Sequence, residues 1–280
     1  MSPPETVARP GAQPSAQSGA PASRIAAPRA ADKERVQSLA RGLAVIQAFG
    51  PARPSMTLTE VAAATGMTRA AARRFLLTLE DLGFVASDGK HFSLTPHILR
   101  LGYAYLSSMS WWHIAQPYME EVARTVQESC SAAVLDGDEI VYVARVSASR
   151  IMSVNLSIGT RLPAYCTSLG RVLLAHRPTS WVNGYLARAA LEKRAPRTNT
   201  DPDRLRAEID KVRGQGFSLV DEELEAGVRS ISVPLYDRTG ACIAALNIGG
   251  AAARTTVQRQ LDVYLPALRE AARKTTESLP

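Results

Sequence analysis

Three arginines stand close together in the chain: Arg69, Arg73 and Arg74. On an α-helix, which turns by about 100° per residue, their side chains fall on one side, with Ala70 between them. A guanidinium group can grip a phosphate or donate two parallel hydrogen bonds to a guanine edge, and the small Ala70 lets a partner approach. Thr68 is a residue type that caps helices. These residues favour contact with nucleic acid, although a solvated basic face would show the same pattern.

A second set of residues could bind a small anion. A loop over 159–166 contains proline and glycine and leads into a predicted helix that begins near Thr167 or Ser168. The free N–H groups of a first helical turn favour a carboxylate, Arg161 could add a charge-assisted bond, and Tyr165 could pack against a ring. Alternatively, Ser168 is only a cap and Tyr165 only a core aromatic. The candidate ligand-binding residues of this segment are Arg161, Tyr165, Cys166, Ser168 and Leu169.

Two predicted strands could complete such a site. Arg145 stands at the end of an apolar strand over 140–146, where it could bind an anion, but a structural ion pair is an equal alternative. Ala245 and Asn247 belong to a second apolar strand over 241–248 and could line the floor of the site.

The sequence offers little for catalysis or metal binding. It contains no GxSxG, P-loop or HExxH motif, and its four histidines are scattered. Cys166 and His176 could be imagined as a nucleophile pair, but ten positions along a helix would keep them apart. The three cysteines form no CxxC pair. We therefore predict no catalytic residue, no metal and no cofactor; a small-molecule-processing enzyme with a basic N-terminal domain is the alternative function.

The elements that must position the three arginines are two short helices. Residues 58–66 predict a helix that ends at Gly66, and residues 67–83 predict the helix that carries the arginines. Two such helices joined by a tight turn form a helix-turn-helix. The arginine-bearing helix has an apolar side that must be buried, consisting of Ala72, Phe75, Leu76, Leu79 and Leu82.

A hairpin and an upstream helix complete the basic domain. Residues 84–94 read as two strands joined by an Asp88-Gly89 turn, which after a recognition helix indicates the wing of a winged helix, with Lys90 on it. Between Lys33 and Arg100 nine basic residues face five acidic ones, so this stretch carries +4 of the net charge of +7. A first helix is predicted from the apolar residues Val36, Leu39, Ala40, Leu43, Ile46 and Phe49.

The remaining segments predict the domain organisation. Residues 1–32 are rich in proline, alanine and serine and predict a disordered N-terminal arm. The winged helix-turn-helix domain occupies 33–94, and a linker helix 95–110. Residues 111–280 alternate antiparallel hairpins, near 130–146 and 231–248, with segregated helices near 113–127, 167–176, 201–214 and 255–277, which predicts an α+β domain. No apolar run is long enough to span a membrane, so we expect a cytoplasmic protein without a membrane partner.

The sequence resembles the IclR family of bacterial transcription regulators. Residues 37–46, 58–62 and 66–76 carry the resemblance, and 66–77 looks most like the branch that controls the β-ketoadipate pathway, of the PcaR, PcaU and PobR type. The resemblance implies a linker helix that contributes to dimer contacts and a GAF-like effector-binding domain. It also implies that the acidic stretch 221–228 borders the ligand, which adds Asp221 and Glu223 to the candidate residues.

We therefore expect a ligand-responsive, DNA-binding regulator of aromatic-compound catabolism, acting as a homodimer or a dimer of dimers. Its effector would be an aromatic or dicarboxylic acid from protocatechuate or 4-hydroxybenzoate breakdown, and RNA polymerase is a further expected contact. The residues that would read or grip a pseudo-palindromic, double-stranded operator are Arg41, Thr68, Arg69, Ala70, Arg73, Arg74 and Lys90. The effector-binding set is Arg145, Arg161, Tyr165, Cys166, Ser168, Leu169, Asp221, Glu223, Ala245 and Asn247.

Overall fold

A computed structural model describes residues 36–148 and 156–280 of the chain. It divides into two compact units after Ala104, a position inside the predicted linker segment 95–110. The predicted N-terminal arm, residues 1–32, lies outside the described residues.

The first unit is a helix-turn-helix with a small sheet. Its elements are α1 (Gln37–Ala48), β1 (Ser55–Thr57), α2 (Leu58–Thr65), α3 (Arg69–Asp81), β2 (Val85–Ser87) and β3 (His91–Leu94), followed by a 3-10 turn (Pro96–Ile98) and helix α4 (Leu99–Ser108). The three strands are antiparallel in the order β1-β3-β2. The predicted hairpin is confirmed, whereas β1 is too short, at three residues, to leave a periodic signal in the sequence.

Local sequence sets the bounds of α2 and α3. The Thr57 side chain accepts a hydrogen bond from the Glu60 N–H while the Glu60 carboxylate accepts from the Thr57 N–H, so α2 begins with a capping box. Gly66 ends α2 in the left-handed conformation, with φ of 66°. The Thr68 hydroxyl then accepts from the Ala71 N–H at 3.2 Å, which makes Thr68 the cap of α3, as the sequence predicted.

The predicted buried face of α3 is confirmed except at its end. Ala72, Leu76 and Leu79 are buried and Phe75 packs against the same core, but Leu82 is 57% exposed. The helix ends at Asp81, so Leu82 leaves the helical phase before it can join that face.

The predicted face of α1 is largely wrong. Val36, Leu39 and Leu43 are exposed, whereas Phe49 is buried as predicted. Val45, which the periodicity did not select, is fully buried. Only the C-terminal half of α1 contributes to the core of this unit. The apolar residues of α1 therefore repeat at helical spacing beyond the part of the helix that packs against this core.

The second unit is an α+β domain built on one sheet. Its elements are α5 (Ser110–Val126), β4 (Ser129–Asp136), β5 (Glu139–Val146), β6 (Arg161–Pro163), α6 (Ser168–Ala175), α7 (Thr179–Arg188), α8 (Pro202–Gln215), β7 (Ser218–Asp221), β8 (Val228–Tyr236), β9 (Cys242–Ala251), a 3-10 turn (Ala252–Arg254), α9 (Val257–Arg259), a π-helical turn (Gln260–Tyr264) and α10 (Leu265–Glu277). The six strands are antiparallel in the order β6-β5-β4-β9-β8-β7.

The helices cover both faces of this sheet. Helices α5 and α10 pack on one face, around Met119, Leu246 and Leu268. Helices α6, α7 and α8 pack on the other, around Leu174 and Ile209. The predicted α+β class is confirmed, and so are both predicted hairpins. Helix α7 was not predicted, and α5 begins at Ser110, three residues before its predicted start near 113.

Candidate functional site

The seven residues predicted to contact DNA are all exposed in the first unit: Arg41, Thr68, Arg69, Ala70, Arg73, Arg74 and Lys90. Within the described part of this unit, none of the three arginines of α3 forms an ion pair with an acidic side chain. Uncompensated guanidinium groups on an exposed helix surface are free to take up phosphates.

A tight turn places Lys90 at the tip of the β2–β3 hairpin. The Asp88 carboxylate accepts hydrogen bonds from the backbone N–H groups of Lys90, at 2.9 Å, and His91, at 2.7 Å. These bonds stabilise the charged carboxylate and lower the pKa of Asp88 to about 2. Gly89 adopts the positive φ of 94° that the turn requires. The fixed turn holds the Lys90 ammonium in solvent.

In the second unit, a row of polar residues crosses four strands of the sheet. Arg145 on β5 lies opposite Ser131 on β4, Ser131 lies opposite Asn247 on β9, and Asn247 lies opposite Ser232 on β8. Residues directly opposite in neighbouring strands point to the same face. The row therefore lies on the face that α6 covers, and we call these four residues the polar row.

The guanidinium of Arg145 has no acidic partner among the described residues. It donates hydrogen bonds to the hydroxyls of Ser131, at 3.2 Å, and Ser129, at 3.4 Å, and both acceptors are neutral. Half-burial removes water from the cation and lowers the pKa of Arg145 below its ordinary value, which the nearby Tyr142 partly offsets. A desolvated cation with only neutral partners favours an anion.

A β-bulge brings Arg145 to this face. Ala132 pairs with Ala144 but Ala133 pairs with Tyr142, so Val143 is an extra residue on β5. Val143 and Ala144 both pack against α5 and α10, whereas Tyr142 packs on the α6 face. Without the extra residue, side chains three apart would point to opposite faces.

The N-terminus of α6 meets the polar row through a cluster of hydroxyls. The Ser168 hydroxyl lies 2.7 Å from the Ser232 hydroxyl and 2.8 Å from that of Ser230. Thr167, not Ser168, is the cap, because its hydroxyl accepts from the Gly170 N–H at 3.1 Å. Ser168 is thus the first residue of the helix, whose first-turn N–H groups have no partner inside the helix. We call Ser168, Ser230 and Ser232 the hydroxyl cluster.

Asn247 lies between the arginine and the hydroxyl cluster. Its side chain is 6% exposed, and its amide oxygen has no hydrogen-bond partner among the described residues. Buried polar atoms are nearly always paired, so an unpaired one calls for a partner. An atom of this kind in a polar row suits a ligand that carries a hydrogen-bond donor.

The structure does not bring Arg161 to this row. Arg161 lies on the edge strand β6, where its guanidinium donates to the carboxylates of Glu139, at 2.8 Å, and Asp136, at 2.7 Å. Asp136 is five residues along β4 from Ser131, about 16 Å at the usual rise of a strand. The expected bond between Arg161 and an effector carboxylate would therefore have to displace two carboxylates at the opposite end of the hairpin.

Glu223 is occupied by other groups. Its carboxylate accepts from the buried guanidinium of Arg171 at 2.6 Å and from the Asn199 N–H at 3.0 Å. Arg171 also donates to the Tyr165 carbonyl at 2.9 Å. Glu223 therefore ties its loop to the first turns of α6 and has little capacity left for a ligand.

Asp221 lies on the other face of the sheet. It pairs in register with Arg229, whose guanidinium lies 2.6 Å from its carboxylate, and it also contacts Arg197 at 2.5 Å. The next pair along the strands is Val220 and Ser230, so Ser230 and Asp221 point to opposite faces. Asp221 is a structural ion-pair residue in this geometry.

Four further candidates form the apolar surroundings of α6: Tyr165, Cys166, Leu169 and Ala245. Tyr165 is 1% exposed and donates a hydrogen bond to the Glu192 carbonyl at 2.6 Å, as in the core-aromatic alternative. Burial raises the pKa of the Cys166 thiol to about 11, which keeps it protonated and unreactive.

Of the serines at this site the sequence predicted Ser168, but not the four that lie on the strands. Ser129 and Ser131 on β4, and Ser230 and Ser232 on β8, occupy alternate positions of mainly apolar strands. Alternation of this kind places both hydroxyls on one face and could have flagged them.

The described residues show neither a metal site nor a membrane span. Among residues 36–148 and 156–280, His, Cys, Asp and Glu side chains form no group of three or more that could ligate an ion. None of the helices in these ranges combines the length and apolar character that a membrane span requires.

Comparison with known families decides what this chain is. A model of the IclR helix-turn-helix domain matches residues 38–89, and a model of the bacterial transcriptional regulator IclR C-terminal domain matches residues 103–277. The chain belongs to the IclR family of transcription regulators. The resemblance in the sequence is therefore confirmed across both units of this IclR-family regulator.

Relatives and solved structures agree with this assignment. The IclR-family chain is 46% identical over 254 residues to the Pca regulon regulatory protein of Pseudomonas putida, covering 90% of this chain and 87% of that protein. It is similar to a structure from Rhodococcus sp. RHA1 described as a transcriptional regulator, with TM-score 0.79, 49% identity and coverage of 87% and 98%. An IclR homolog from Microbacterium hydrocarbonoxydans in complex with 4-hydroxybenzoate has TM-score 0.75, 26% identity and coverage of 86% and 98%.

The enzyme alternative is excluded by these matches, since the families and relatives are transcription regulators. The relatedness to regulators of the Pca and p-hydroxybenzoate hydroxylase systems also supports the branch that the sequence suggested.

Proposed function

We propose that this IclR-family regulator binds a small carboxylic acid on the polar row of its second unit and an operator through α3 of its first unit. The observation that carries the effector site is Arg145, a half-buried guanidinium whose partners among the described residues are neutral hydroxyls. An effector carboxylate would neutralise this charge with charge-assisted hydrogen bonds. The hydroxyl cluster and Asn247 supply further hydrogen-bonding groups on the same face.

The effector is an aromatic or dicarboxylic acid, and the genes under control serve aromatic-compound catabolism. The names of relatives support this proposal: a Pca regulon regulator and an activator of p-hydroxybenzoate hydroxylase are similar to this chain. The solved homolog that holds 4-hydroxybenzoate supports an aromatic acid in a site of this fold. The candidates are 4-hydroxybenzoate, protocatechuate and their ring-cleavage products.

On the DNA side, Arg69, Arg73 and Arg74 contact base edges and phosphates, and Lys90 and Arg41 hold phosphates. The chain acts in the cytoplasm as a homodimer or a dimer of dimers. Two copies bind a pseudo-palindromic operator, because two DNA-binding domains related by a two-fold axis match a DNA site with the same symmetry. In this proposal the DNA-binding domain spans residues 33–94, the linker helix 95–110 and the effector-binding domain 111–280.

The effector acts by changing operator binding or contact with RNA polymerase. A ligand shifts an equilibrium only by the difference between its affinities for the two states. The acid must therefore bind more tightly to one arrangement of the reading heads than to the other, and DNA must in turn change the affinity for the acid by the same factor.

The test is a fluorescence anisotropy titration of the full chain against the DNA upstream of its own gene and its neighbours, at several salt concentrations, with and without each acid. Site-selective, salt-dependent binding that one acid alters is the expected result. Selective binding that no acid alters would overturn the sensor part of the proposal. Binding without site preference at any salt concentration would overturn the operator part.

A further inference from the structure

Helix α3 carries a leucine whose position the fold does not explain. The side chain of Leu77 is 39% exposed, and it is not among the described residues that form or pack against the core of the first unit. At 100° per residue, Leu77 is turned by about 100° from Leu76, 140° from Ala72 and 160° from Leu79, the three buried residues of the helix. Packing within the first unit therefore does not require a leucine at this position.

Leu77 shares its face of α3 with Ala70, Arg73 and Arg74, which are all exposed. The four residues follow the spacing i, i+3, i+4 and i+7, by which a recognition helix presents side chains to the bases of a major groove. We propose that Leu77 and Ala70 contact the 5-methyl groups of thymines in the operator, while the two arginines between them bind guanine edges or phosphates. This inference rests on the operator binding proposed above and adds the bases that α3 selects.

The chemistry of Leu77 restricts what it can recognise. A leucine side chain has neither a hydrogen-bond donor nor an acceptor, so it distinguishes base edges only by apolar contact. Thymine is the base whose major-groove edge carries a methyl group. Thr78, the next exposed residue, uses its one side-chain donor on the Arg74 carbonyl, at 2.9 Å. This part of the exposed face therefore suits a methyl group better than a polar base edge.

The charges beside Leu77 favour DNA over a protein as its partner. Arg73 and Arg74 precede it by four and three residues, so both lie next to it on the helix surface. Within the described part of the first unit, neither arginine forms an ion pair with an acidic side chain. A protein that covered Leu77 would also bury two cations, which is costly without carboxylates to pair with them. DNA presents phosphates on both sides of the groove that holds its methyl groups.

The length of the helix sets the distance between the two thymines. Leu77 follows Ala70 by seven residues, about 10.5 Å along an α-helix. Base pairs are spaced by about 3.4 Å, so the two contacts fall about three base pairs apart in a helix that follows the groove. Arg73 and Arg74 then lie over the base pairs between the two methyl groups.

The test removes the methyl groups from the DNA. The DNA upstream of the chain's own gene and of its neighbours is prepared with thymidine and, as a second copy, with deoxyuridine, which pairs in the same way but lacks the 5-methyl group. Fluorescence anisotropy measures binding of the full chain to both copies and to a scrambled thymidine sequence. Burial of one methyl group changes a binding constant about fourfold, so contacts in two half-sites should weaken binding of the uracil copy at least about tenfold.

Variants assign the effect to Leu77. Leu77→Ala should lower the ratio of thymine to uracil affinity at least about threefold, because alanine keeps the helix but removes most of the apolar contact. Leu82→Ala is the matched control, because Leu82 is a 57% exposed leucine one residue beyond the end of α3. Its ratio should stay within about twofold of wild type. Uracil interference mapping should show two thymines in each half-site, one of which no longer interferes with Leu77→Ala.

The outcomes separate this inference from the function on which it rests. If wild type prefers upstream over scrambled DNA but binds the thymine and uracil copies equally, methyl recognition is wrong although operator binding stands. If uracil weakens wild type and Leu77→Ala by the same factor, the methyl groups act through DNA shape, which also overturns the role of Leu77. A changed molar mass of Leu77→Ala in light scattering would assign the leucine to a contact between proteins instead. If wild type does not prefer upstream DNA, the proposed operator function itself fails.

Discussion

Arg171 and Glu223 form a buried ion pair with 2.6 Å between guanidinium and carboxylate, although 52 residues separate them in the chain. Because Arg171 lies in the first half of α6 and also donates to the Tyr165 carbonyl, the pair joins three segments beside the hydroxyl cluster. Its role is to hold the N-terminus of α6 in place, so that Ser168 can meet β8.

Removing one member of this pair should destabilise the second unit. Glu223→Ala would leave the Arg171 cation, which is 3% exposed, without its counter-charge, and should cost about 3 kcal/mol of unfolding free energy. Urea unfolding followed by tryptophan fluorescence measures this, since Trp111, Trp112 and Trp181 all lie in the second unit. Glu225→Ala, at an exposed position of the same loop, is the control. A loss no larger than in that control would contradict the assigned role.

Gly170 should tolerate no side chain. A Cβ at this position would lie 2.1 Å from the Ala164 carbonyl oxygen, which is backbone and cannot rotate away. Gly170→Ala should therefore displace α6 from the segment that contains Ala164. It should lower the urea concentration at the midpoint of unfolding and abolish effector binding. Gly214→Ala in α8 is the matched helical control, because a Cβ there meets nothing within 4 Å, and it should stabilise the unit by about 0.5–1 kcal/mol. Equal midpoints for the two variants would show that α6 does not pack as described.

Arg161→Gln should not change effector affinity. Its guanidinium is bound by Asp136 and Glu139 at the far end of the β4–β5 hairpin, and exposed ion pairs of this kind contribute little. Calorimetry with 4-hydroxybenzoate should give the same dissociation constant as wild type within about twofold. A loss of tenfold or more would restore the carboxylate role that the sequence suggested for Arg161.

Arg73→Ala should weaken operator binding and its salt dependence. If Arg73 holds a phosphate, the slope of log K against log salt falls by about 1; if it reads a guanine, discrimination falls by about 1–3 kcal/mol at one position. Anisotropy titrations with operator and scrambled DNA separate the two. Arg259→Ala, a basic residue of α9 in the second unit, is a charge-matched control. Unchanged affinity and slope would exclude α3 as the reading helix.

The turn between β2 and β3 should remain formed at pH values well below the ordinary pKa of an aspartate side chain. Hydrogen bonds from the backbone N–H groups of His91 and Lys90 lower the pKa of Asp88 from 3.8 to about 2. A folded-state pKa that is depressed adds stability above about pH 3.8, which is lost as the pH falls through about 2. An NMR titration of the Asp88 carboxyl carbon should show its midpoint near 2, and Asp88→Asn should remove the transition in the neighbouring amides. A midpoint near 3.8 would mean that the turn is not formed in solution.

The sequence by itself determined the local elements. The capping pattern around Thr57, Gly66 and Thr68 set the bounds of α2 and α3, because caps and left-handed glycines act within a few residues. The two hairpins of the second unit followed from apolar strands on either side of short Asp- and Gly-containing turns. Resemblance along most of the chain gave the family, which the two domain models confirmed.

Tertiary structure alone decided which polar groups meet. The Ser168 hydroxyl forms hydrogen bonds with those of Ser230 and Ser232, more than sixty residues away in the chain. No local periodicity of the sequence predicts this contact. The bulge at Val143 places Arg145 on the α6 face. The sequence suggested the same role for Arg161, but its guanidinium forms ion pairs with Asp136 and Glu139 beside the β4–β5 turn. Alternation predicts which face of a sheet a side chain occupies only as long as no β-bulge adds a residue to the strand. Which opposite charge a guanidinium pairs with depends on distances that only the tertiary structure sets.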